Sequence, residues 1–273
     1  MPELPEVETI VRQLRAPLVG RTITGVTLKW PRHVAVPSLR QFVKRIQGRR
    51  IESIGRRGKY LVFGLDGGAL LIHLKMSGDL AVAAAGTARD KHAHTVFHLD
   101  DGREFRFRDT RKFGRVYLVS RPEEVTGHLG PEPLAAPFTA QALGRRLAAR
   151  SRALKPLLLD QTFLAGVGNI YADEALHLAG LHPLRKSDTL TAEEVRRLWR
   201  SIRRVLRRGI RLNGASIDWM YRGGRFQEVL NVYDRAGEPC LTCGAPIRRI
   251  LVGQRGTHFC PRCQPAPRRK TRP

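Results

Sequence analysis

The chain is short of three things, and each shortage narrows what it can be. Four cysteines occur in 273 residues, and all four lie between Cys240 and Cys263. That is too few to staple a chain of this length with disulfides, and the clustering points to a metal in a reducing, cytosolic compartment. Long apolar runs are missing too. None approaches the roughly 18 residues of a membrane span, and the nearest, Ala69 to Leu74, reads as a buried strand. The opening MPELPEVET is acidic and proline-rich, so no secretory signal is expected. Acidic residues are the third shortage: 24 Asp and Glu stand against 49 Lys and Arg, a formal net charge of +25. A field of one sign favours a polyanionic partner and fast, salt-sensitive association. A proteome generally rich in arginine gives the same count, so composition speaks to a partner class and not to specificity.

What is present falls into three textures. The length and 42% hydrophobic content allow one large domain or two ordinary ones. Val7, Ile10, Val11, Leu14 and Leu18 line one face of a helix over 5–18, with Pro5 suited to its start. Segments 22–30, 51–54, 59–65, 69–74, 94–99, 103–108 and 115–119 are short, rich in Val, Ile, Leu, Phe and Tyr, and separated by Gly and Asp turns. They predict an antiparallel β-sandwich or barrel. Ala83 to Ala93 reads as a mobile loop of small residues, and Leu129-Gly-Pro-Glu-Pro-Leu134 as a linker. Helices are expected at 139–149, 153–160, 169–179 and 191–208. The last opens on a Thr191-x-x-Glu194 capping box and closes on Arg207-Arg208-Gly209 as a stop. Strands, then helices, then the cysteines describe an α+β chain. The expected divisions are a β-sandwich domain flanked by helices at 1–130, a helical domain at 131–215, a loop and metal hairpin at 216–264, and a disordered basic tail at 265–273.

Two features carry chemistry. Cys240-x2-Cys243 and Cys260-x2-Cys263 are 16 residues apart, and two such pairs close a tetrahedral four-cysteine site for one structural zinc ion. Two disulfides are the alternative for the same residues. The intervening segment reads as a hairpin whose tip carries Arg255, flanked by Arg248, Arg249 and Arg262, a cationic tip suited to nucleic acid. The second feature is Met1-Pro2. Removal of the initiator methionine, which the small second side chain permits, leaves a secondary amine, and an α-amine titrates near roughly 8. An uncharged amine can attack an electrophilic sugar carbon and form an iminium, with Glu3 beside it to move protons. Many chains begin Met-Pro-Glu without such chemistry, so this start does not decide by itself.

With these parts assembled, the sequence resembles the formamidopyrimidine-DNA glycosylase family. The likeness runs along nearly the whole chain: Pro2-Glu-Leu-Pro-Glu-Val-Glu-Thr9, Gly58-Lys59-Tyr60, Ile72-His-Leu-Lys-Met-Ser-Gly78, Asp109-Thr-Arg-Lys-Phe-Gly114, Leu129-Gly-Pro-Glu-Pro-Leu134, Gly166-Val-Gly-Asn-Ile-Tyr-Ala-Asp-Glu174, Phe226-Gln227, Val232-Tyr233 and Gly256-Thr-His-Phe-Cys260. The start looks like the branch that acts on oxidised purines. The resemblance implies a sandwich domain, a helix–two-turn–helix domain and a zinc hairpin, with double-stranded DNA running in the cleft between, and a monomeric enzyme of the bacterial cytosol. It implies excision of 8-oxoguanine and formamidopyrimidines by attack of Pro2 on C1′, Glu3 as acid and base, and strand cleavage by β,δ-elimination. Lys59 matches the family lysine that contacts phosphate and assists elimination, and Arg255 the hairpin arginine that grips phosphate. Asn169, at a helix start, matches a phosphate donor, and His92 and Arg152 match or flank further DNA contacts.

Chemistry on a base inside a duplex requires its extrusion, and something must fill the gap. Met76, Arg111 and Phe113 match the family's void-filling trio: a thioether and a ring to wedge between base steps, and a guanidinium to face the orphaned base. Read without the resemblance, Met76 and Phe113 are ordinary core residues and Arg111 a solvated charge, and only the resemblance reverses that reading. The chain departs from the family pattern at Lys75, where Gly is usual, at Thr110, Lys112 and Ser151, and across Ile217 to Arg225, the segment that matches the loop cupping the oxidised base. Lesion preference is the property these departures touch. A non-catalytic binder of damaged DNA and a glycosylase for oxidised pyrimidines are the other readings of the same residues.

Overall fold

The apolar stripe expected near the N-terminus becomes α1 (Leu4–Leu18). Val7, Ile10, Val11, Leu14 and Leu18 are all buried. Pro5 occupies its first turn, and Glu6 reaches back to accept the Glu3 amide at 2.8 Å, giving an orphan N–H a partner. The computed structural model describes residues 1–216 and 223–266. The chain divides into two units, Met1–His128 with Asn213–Gly224, and Leu129–Leu212 with Arg225–Pro273.

In the first unit α1 is followed by β1 (Thr22–Leu28), β2 (Val34–Val36), α2 (Leu39–Ile46), β3 (Arg49–Arg57), β4 (Tyr60–Leu65), β5 (Gly68–His73), β6 (Gly78–Ala83), β7 (Ala93–Leu99), β8 (Glu104–Asp109), β9 (Arg115–Val119) and the one-turn α3 (Glu123–Thr126). The strand order is β2-β9-β5-β4-β3-β1-β7-β8-β6. β1 meets β3 over only Thr22↔Arg50 and Ile23↔Arg49, and is irregular between Ile23 and Gly25. There the sheet turns over on itself. Phe63 of β4 and Phe105 of β8, four places apart in strand order, bring their ring centroids to 5.3 Å. The result is a sandwich with one core, and the alternate burial along β4 and β8 shows one face of each strand in it.

Three local readings differ from the sequence. β2 runs parallel to β9, so the sandwich is antiparallel except at this edge. β6 was not expected, since its Gly-Asp start and small residues carry little strand signal; pairing with β8 along its whole length makes it a strand. α2 was missed because only Phe42 and Ile46 are buried in it, too few to show a period. The loop 84–92 is bonded to β8. Arg106 donates to the carbonyls of Thr87 at 2.6 Å and Ala88 at 3.0 Å, and Arg89 pairs with Glu104.

The second unit holds α4 (Ala140–Ala148), α5 (Leu154–Leu159), α6 (Asn169–Ala179), α7 (Ala192–Arg211) and the hairpin β10 (Arg248–Val252) and β11 (Arg255–Phe259). The capping box forms as read: the Glu194 amide donates to Thr191 Oγ1 at 3.2 Å, and Glu194 accepts the Thr191 amide at 2.8 Å. The expected stop at Gly209 does not occur, and α7 continues to Arg211 before the chain leaves through left-handed Asn213 and Gly214. Gly209 serves packing instead. A Cβ there would lie 2.5 Å from Cε1 of Tyr171 on α6, so glycine lets the two helices approach. Residues 217–222 of the expected base-cupping loop, and 267–273 of the basic tail, lie outside the described residues. Among the described residues no helix is long and apolar enough to cross a membrane.

Gly209→Ala should therefore destabilise the protein by about 1–3 kcal/mol through overpacking against Tyr171, measured by urea unfolding. In an open helix the same change stabilises, so a gain in stability would contradict the contact.

Candidate active site and metal centre

Strand register gathers the candidate residues of the first unit at one rim. Tyr60 pairs with His73, and His73 with Arg115, so the start of β4, the end of β5 and the start of β9 lie together. Gly78 pairs with Asp109 and Ala93 with Arg108, which adds the starts of β6 and β7 and the end of β8. Lys59, Met76, His92, Arg111 and Phe113 all stand in the connections that leave these strand ends. Met76 and His92 are half-buried, while Arg111 and Phe113 are exposed. The Arg111 guanidinium sits 4.9 Å from the Phe113 ring centroid, so charge and aromatic face are presented together. The phenyl ring is 49% accessible, so it fills no core.

Asp109, a residue with no role in the sequence reading, fixes this rim. Its buried carboxylate accepts Ser77 Oγ at 2.5 Å, the Gly114 amide at 2.7 Å and the Arg111 amide at 3.3 Å. His33 Nε2 lies 3.5 Å away, and His33 is itself held through Nδ1 by Thr95 Oγ1 at 3.0 Å. One group thus clamps both ends of the Arg111–Phe113 loop and the residue after Met76. Burial pushes the Asp109 carboxyl up, but the adjacent His33 ring and the bonds from Ser77 and Gly114 outweigh it and hold the group at about 2. The left-handed backbone of Lys75 and Lys112, φ 53° and 60°, completes the two turns. A non-glycine residue there is strained. Lys112 recovers contact by placing Nζ 4.7 Å from the Trp30 ring centroid.

At the N-terminus Pro2 is half-buried and Glu3 buried. While Met1 is attached, the Pro2 nitrogen is an amide; its release makes it an amine. Glu6 fastens this end of α1, accepting the Ala215 amide at 2.8 Å through the oxygen not used for Glu3. Lys59 is buried at a tight turn that Gly58 makes with φ 57°. His73, paired across from Tyr60, is lowered to about 3 by burial and then by the charges of Lys75 and Lys59. The neutral ring accepts the Lys75 amide at Nδ1, 3.0 Å. The imidazole therefore adds no charge to the rim at neutral pH.

In the second unit the four cysteine sulfurs lie within 4.8 Å of one another. Cys243 and Cys260 are 3.4 Å apart, Cys240 and Cys263 3.9 Å. A tetrahedron of thiolates around zinc has edges of about 3.8 Å, from Zn–S bonds of about 2.3 Å. The residues fit a structural zinc ion, and His177 Nε2, 3.6 Å from Cys240 Sγ, is placed to donate to a thiolate. Gly253 and Gln254, both with positive φ, turn the hairpin, and exposed Arg255 opens β11 directly after them.

Two acidic residues of α6 that sequence reasoning passed over anchor this module. Asp173 pairs with buried Lys155 and accepts the His258 amide at 2.9 Å. Glu174 accepts the amides of Asn231, Val232 and Tyr233 at 2.9–3.1 Å. Their signal was an acidic pair inside an apolar helix of a chain otherwise poor in acid. Asn169 sits at the first turn of α6 as expected, but its Nδ2 donates to Gly256 O at 3.0 Å, which joins the helix start to the beginning of β11. Its Oδ1 is buried without a partner. Arg152 is exposed and bonded to Asp160 at 2.8 Å.

The same three modules are found in known proteins. The family model of the formamidopyrimidine-DNA glycosylase N-terminal domain matches residues 1–116, that of the H2TH domain 129–220, and that of a zinc finger found in FPG and IleRS 237–266. A formamidopyrimidine-DNA glycosylase of Chloroflexus aurantiacus is 52% identical over 97% of this chain and 98% of its own length. One from Symbiobacterium thermophilum is 49% identical over 98% and 90%. A MutM structure in complex with DNA containing carbocyclic 8-oxo-G superposes with a TM-score of 0.90 at 39% identity. Lactococcus lactis Fpg with N7-benzyl-Fapy-dG DNA gives 0.91 at 38%, and both cover 97% of this chain and all of their own.

Two substitutions test the anchors. Asp109→Asn places an amide against donors and should cost about 1–3 kcal/mol, with faster hydrogen exchange at the Gly114 amide and none of that change in α7. Unaltered exchange at Gly114 would show that the loop does not depend on the carboxylate. Cys243→Ser should lower bound zinc, measured by elemental analysis, and expose the β10–β11 amides to exchange while leaving the sandwich protected; a metal-free sample with an intact hairpin would refute the zinc assignment.

Proposed function

The chain belongs to the formamidopyrimidine-DNA glycosylase family, and on that footing we propose that Pro2 performs the excision of oxidised purines and that strand cleavage follows on the same covalent intermediate. It is a DNA glycosylase of base-excision repair with a structural zinc finger, acting on DNA that carries damaged bases. The relatives' complexes with 8-oxo-G and Fapy-dG DNA support a purine lesion range for this chain, and the bacterial cytoplasm is its place of work.

The observation that carries this reading is the shared rim, where Lys59, Met76, Arg111 and Phe113 leave adjoining strand ends. After Met1 is removed, the Pro2 amine attacks C1′ of the extruded nucleotide. The C1′–N bond breaks, its electron pair leaves with the base, and a proton is delivered to the departing base. Glu3 is the acid and base at the sugar. The attached nitrogen then gives up its proton and its lone pair expels O4′, which takes up a proton, so the sugar ring opens to a C1′ iminium. This acidifies C2′, so loss of that proton expels the 3′ phosphate and a second elimination expels the 5′ phosphate. Hydrolysis returns the amine. Lys59 contacts phosphate and assists elimination, and Arg255 holds phosphate beside the lesion. Both act electrostatically, where positive charge stabilises a phosphate leaving group.

Met76 and Phe113 fill the space the base vacates, and Arg111 faces the base opposite, where guanidinium donors read edges. His92, Asn169 and Arg152 contact the backbone. For Asn169 the bond to Gly256 supports a further part: it sets the beginning of β11, which carries Arg255. The zinc takes no part in the chemistry; it fixes the hairpin.

Borohydride added during reaction with an 8-oxoguanine duplex should trap one covalent adduct, and peptide mapping should place it on Pro2. Pro2→Gly keeps a terminal amine and should retain some trapping. An adduct confined to an internal lysine would reject Pro2 as the nucleophile, and DNA binding with no adduct at all would favour a non-catalytic damage binder.

A further inference from the structure

α7 carries a second cationic surface that the chemistry above does not use. Its buried residues Leu198, Ile202, Val205, Leu206 and Gly209 form one side, which packs on α6 through Gly209 and Tyr171. Arg200, Arg203, Arg204, Arg207 and Arg211 centre on the opposite side, about 170° away at 3.6 residues per turn. Eight of the helix's 20 residues are arginine, and no acidic residue follows Glu194. Glu193 answers only the near end, pairing with Arg196 at 2.8 Å and reaching Arg200 at 3.9 Å. Arg204, Arg207 and Arg211 have no carboxylate partner among the described residues. Like charges one turn apart destabilise a helix. A merely solvated face gains nothing from excluding every acid, whereas a face that binds a polyanion does.

The surface is also built. Arg203 lies over Trp199, 5.0 Å from the ring centroid, and donates to the carbonyls of Pro133 at 2.8 Å and Ala135 at 3.1 Å. Trp199 is pinned in turn by its Nε1 bond to Phe138 O at 2.7 Å. These two floor a shallow groove of about 270 Å³ whose rims are Arg200, Arg204, Arg207 and Arg211, all exposed. Burial and then the charge of Arg207 push Arg203 down. From Arg200 to Arg211 the helix rises about 16 Å, the length of roughly five base steps of a duplex strand. Guanidinium forks match phosphate oxygens in pairs.

We propose that this arginine face is a second phosphate-binding track that grips the backbone of a duplex segment other than the one held at the lesion. It faces away from α6, whose first turn carries Asn169 and meets the hairpin, so one duplex backbone on that turn leaves the track open. A straight, rigid, evenly charged row fits a duplex better than a compact phosphate. The proposal goes beyond the excision reading and does not need Pro2 chemistry. Its use would be to hold the enzyme on DNA while the active site is engaged, allowing direct transfer between segments.

The full chain is first saturated with a short duplex containing a non-cleavable abasic analogue, and a labelled undamaged duplex is then titrated in and followed by fluorescence anisotropy. The wild type should capture the second duplex with a steep salt dependence. Combined Arg200→Gln, Arg204→Gln, Arg207→Gln and Arg211→Gln should weaken that capture at least about tenfold and reduce the salt slope by about 3 to 4. Affinity for the lesion duplex and single-turnover excision should not change, and the four Arg→Lys substitutions should preserve capture. Arg204→Glu alone, with circular dichroism to confirm folding, gives the same test if the fourfold variant does not fold: capture should fall, and unchanged capture overturns the track. The proposal is also overturned if the wild type takes up no second duplex, if the Gln variant captures it normally, or if lesion affinity falls in step. Inorganic polyphosphate binding where duplex does not would overturn the assignment to DNA. Because capture is read without turnover, a failure of excision leaves this result legible.

Discussion

The Asp109 carboxylate bears the main constraint on the rim that carries Arg111 and Phe113. A charge withdrawn from water must be satisfied by donors fixed in place, and here the donors are the Ser77 hydroxyl and the Gly114 amide, with the ring of His33 3.5 Å away. Each belongs to a different stretch of chain, so satisfying one carboxylate fixes the distance between the Met76 turn and the Arg111–Phe113 loop. Phe107 backs this arrangement. A Cβ at Gly114 would lie 2.3 Å from its ring and one at Gly78 2.7 Å, so both loops approach it without side chains of their own. An exposed ring needs such backing, since a loose loop would fold onto the surface instead of holding a phenyl ring in solvent.

The same device recurs. Glu6 holds the first turn of α1 against Ala215, Asp173 holds β11 through the His258 amide, and Glu174 holds residues 231–233. A chain with 24 acids and a net charge of +25 places several of those acids inside, as backbone acceptors, and leaves its arginines outside. The distribution serves both ends. Buried carboxylates bonded to amides order loops that have little apolar surface with which to order themselves, while the exterior remains cationic for a polyanion. Zinc does for the hairpin what the carboxylates do for the loops.

Glycine was the residue most easily misread. Gly209 looked like a helix stop because it follows two arginines, yet it lies inside α7 against Tyr171. A local pattern cannot distinguish a glycine needed for backbone freedom from one needed for close packing, because the second depends on a ring 38 positions away. The strand β6 was invisible for a related reason: its Gly-Asp-Leu-Ala-Val-Ala carries little propensity, and it is a strand because β8 offers it a full ladder.

What the sequence determined by itself were the features whose physics is local or repetitive: the apolar period of α1, the capping box of α7, the four-cysteine spacing, the surplus of positive charge, and the motif likeness that led to the family. Lys59, Met76, Arg111 and Phe113 were singled out there as members of those motifs, and Arg255 by its place on the hairpin between the cysteine pairs. Only the tertiary structure decided how such residues are held. Asp109, His33 and Ser77 lie at scattered positions and meet only after the sheet has turned over. Asn169, read as a phosphate donor, also proves to be bonded to the beginning of β11. The cationic track on α7 needed the fold as well. The row of arginines is plain in the sequence, but its far side from α6 and its floor of Trp199 and Arg203 exist only once the helix has packed. Charge is a property of composition, whereas a charged site needs its cations aligned on one face and fixed there, and packing alone supplies that.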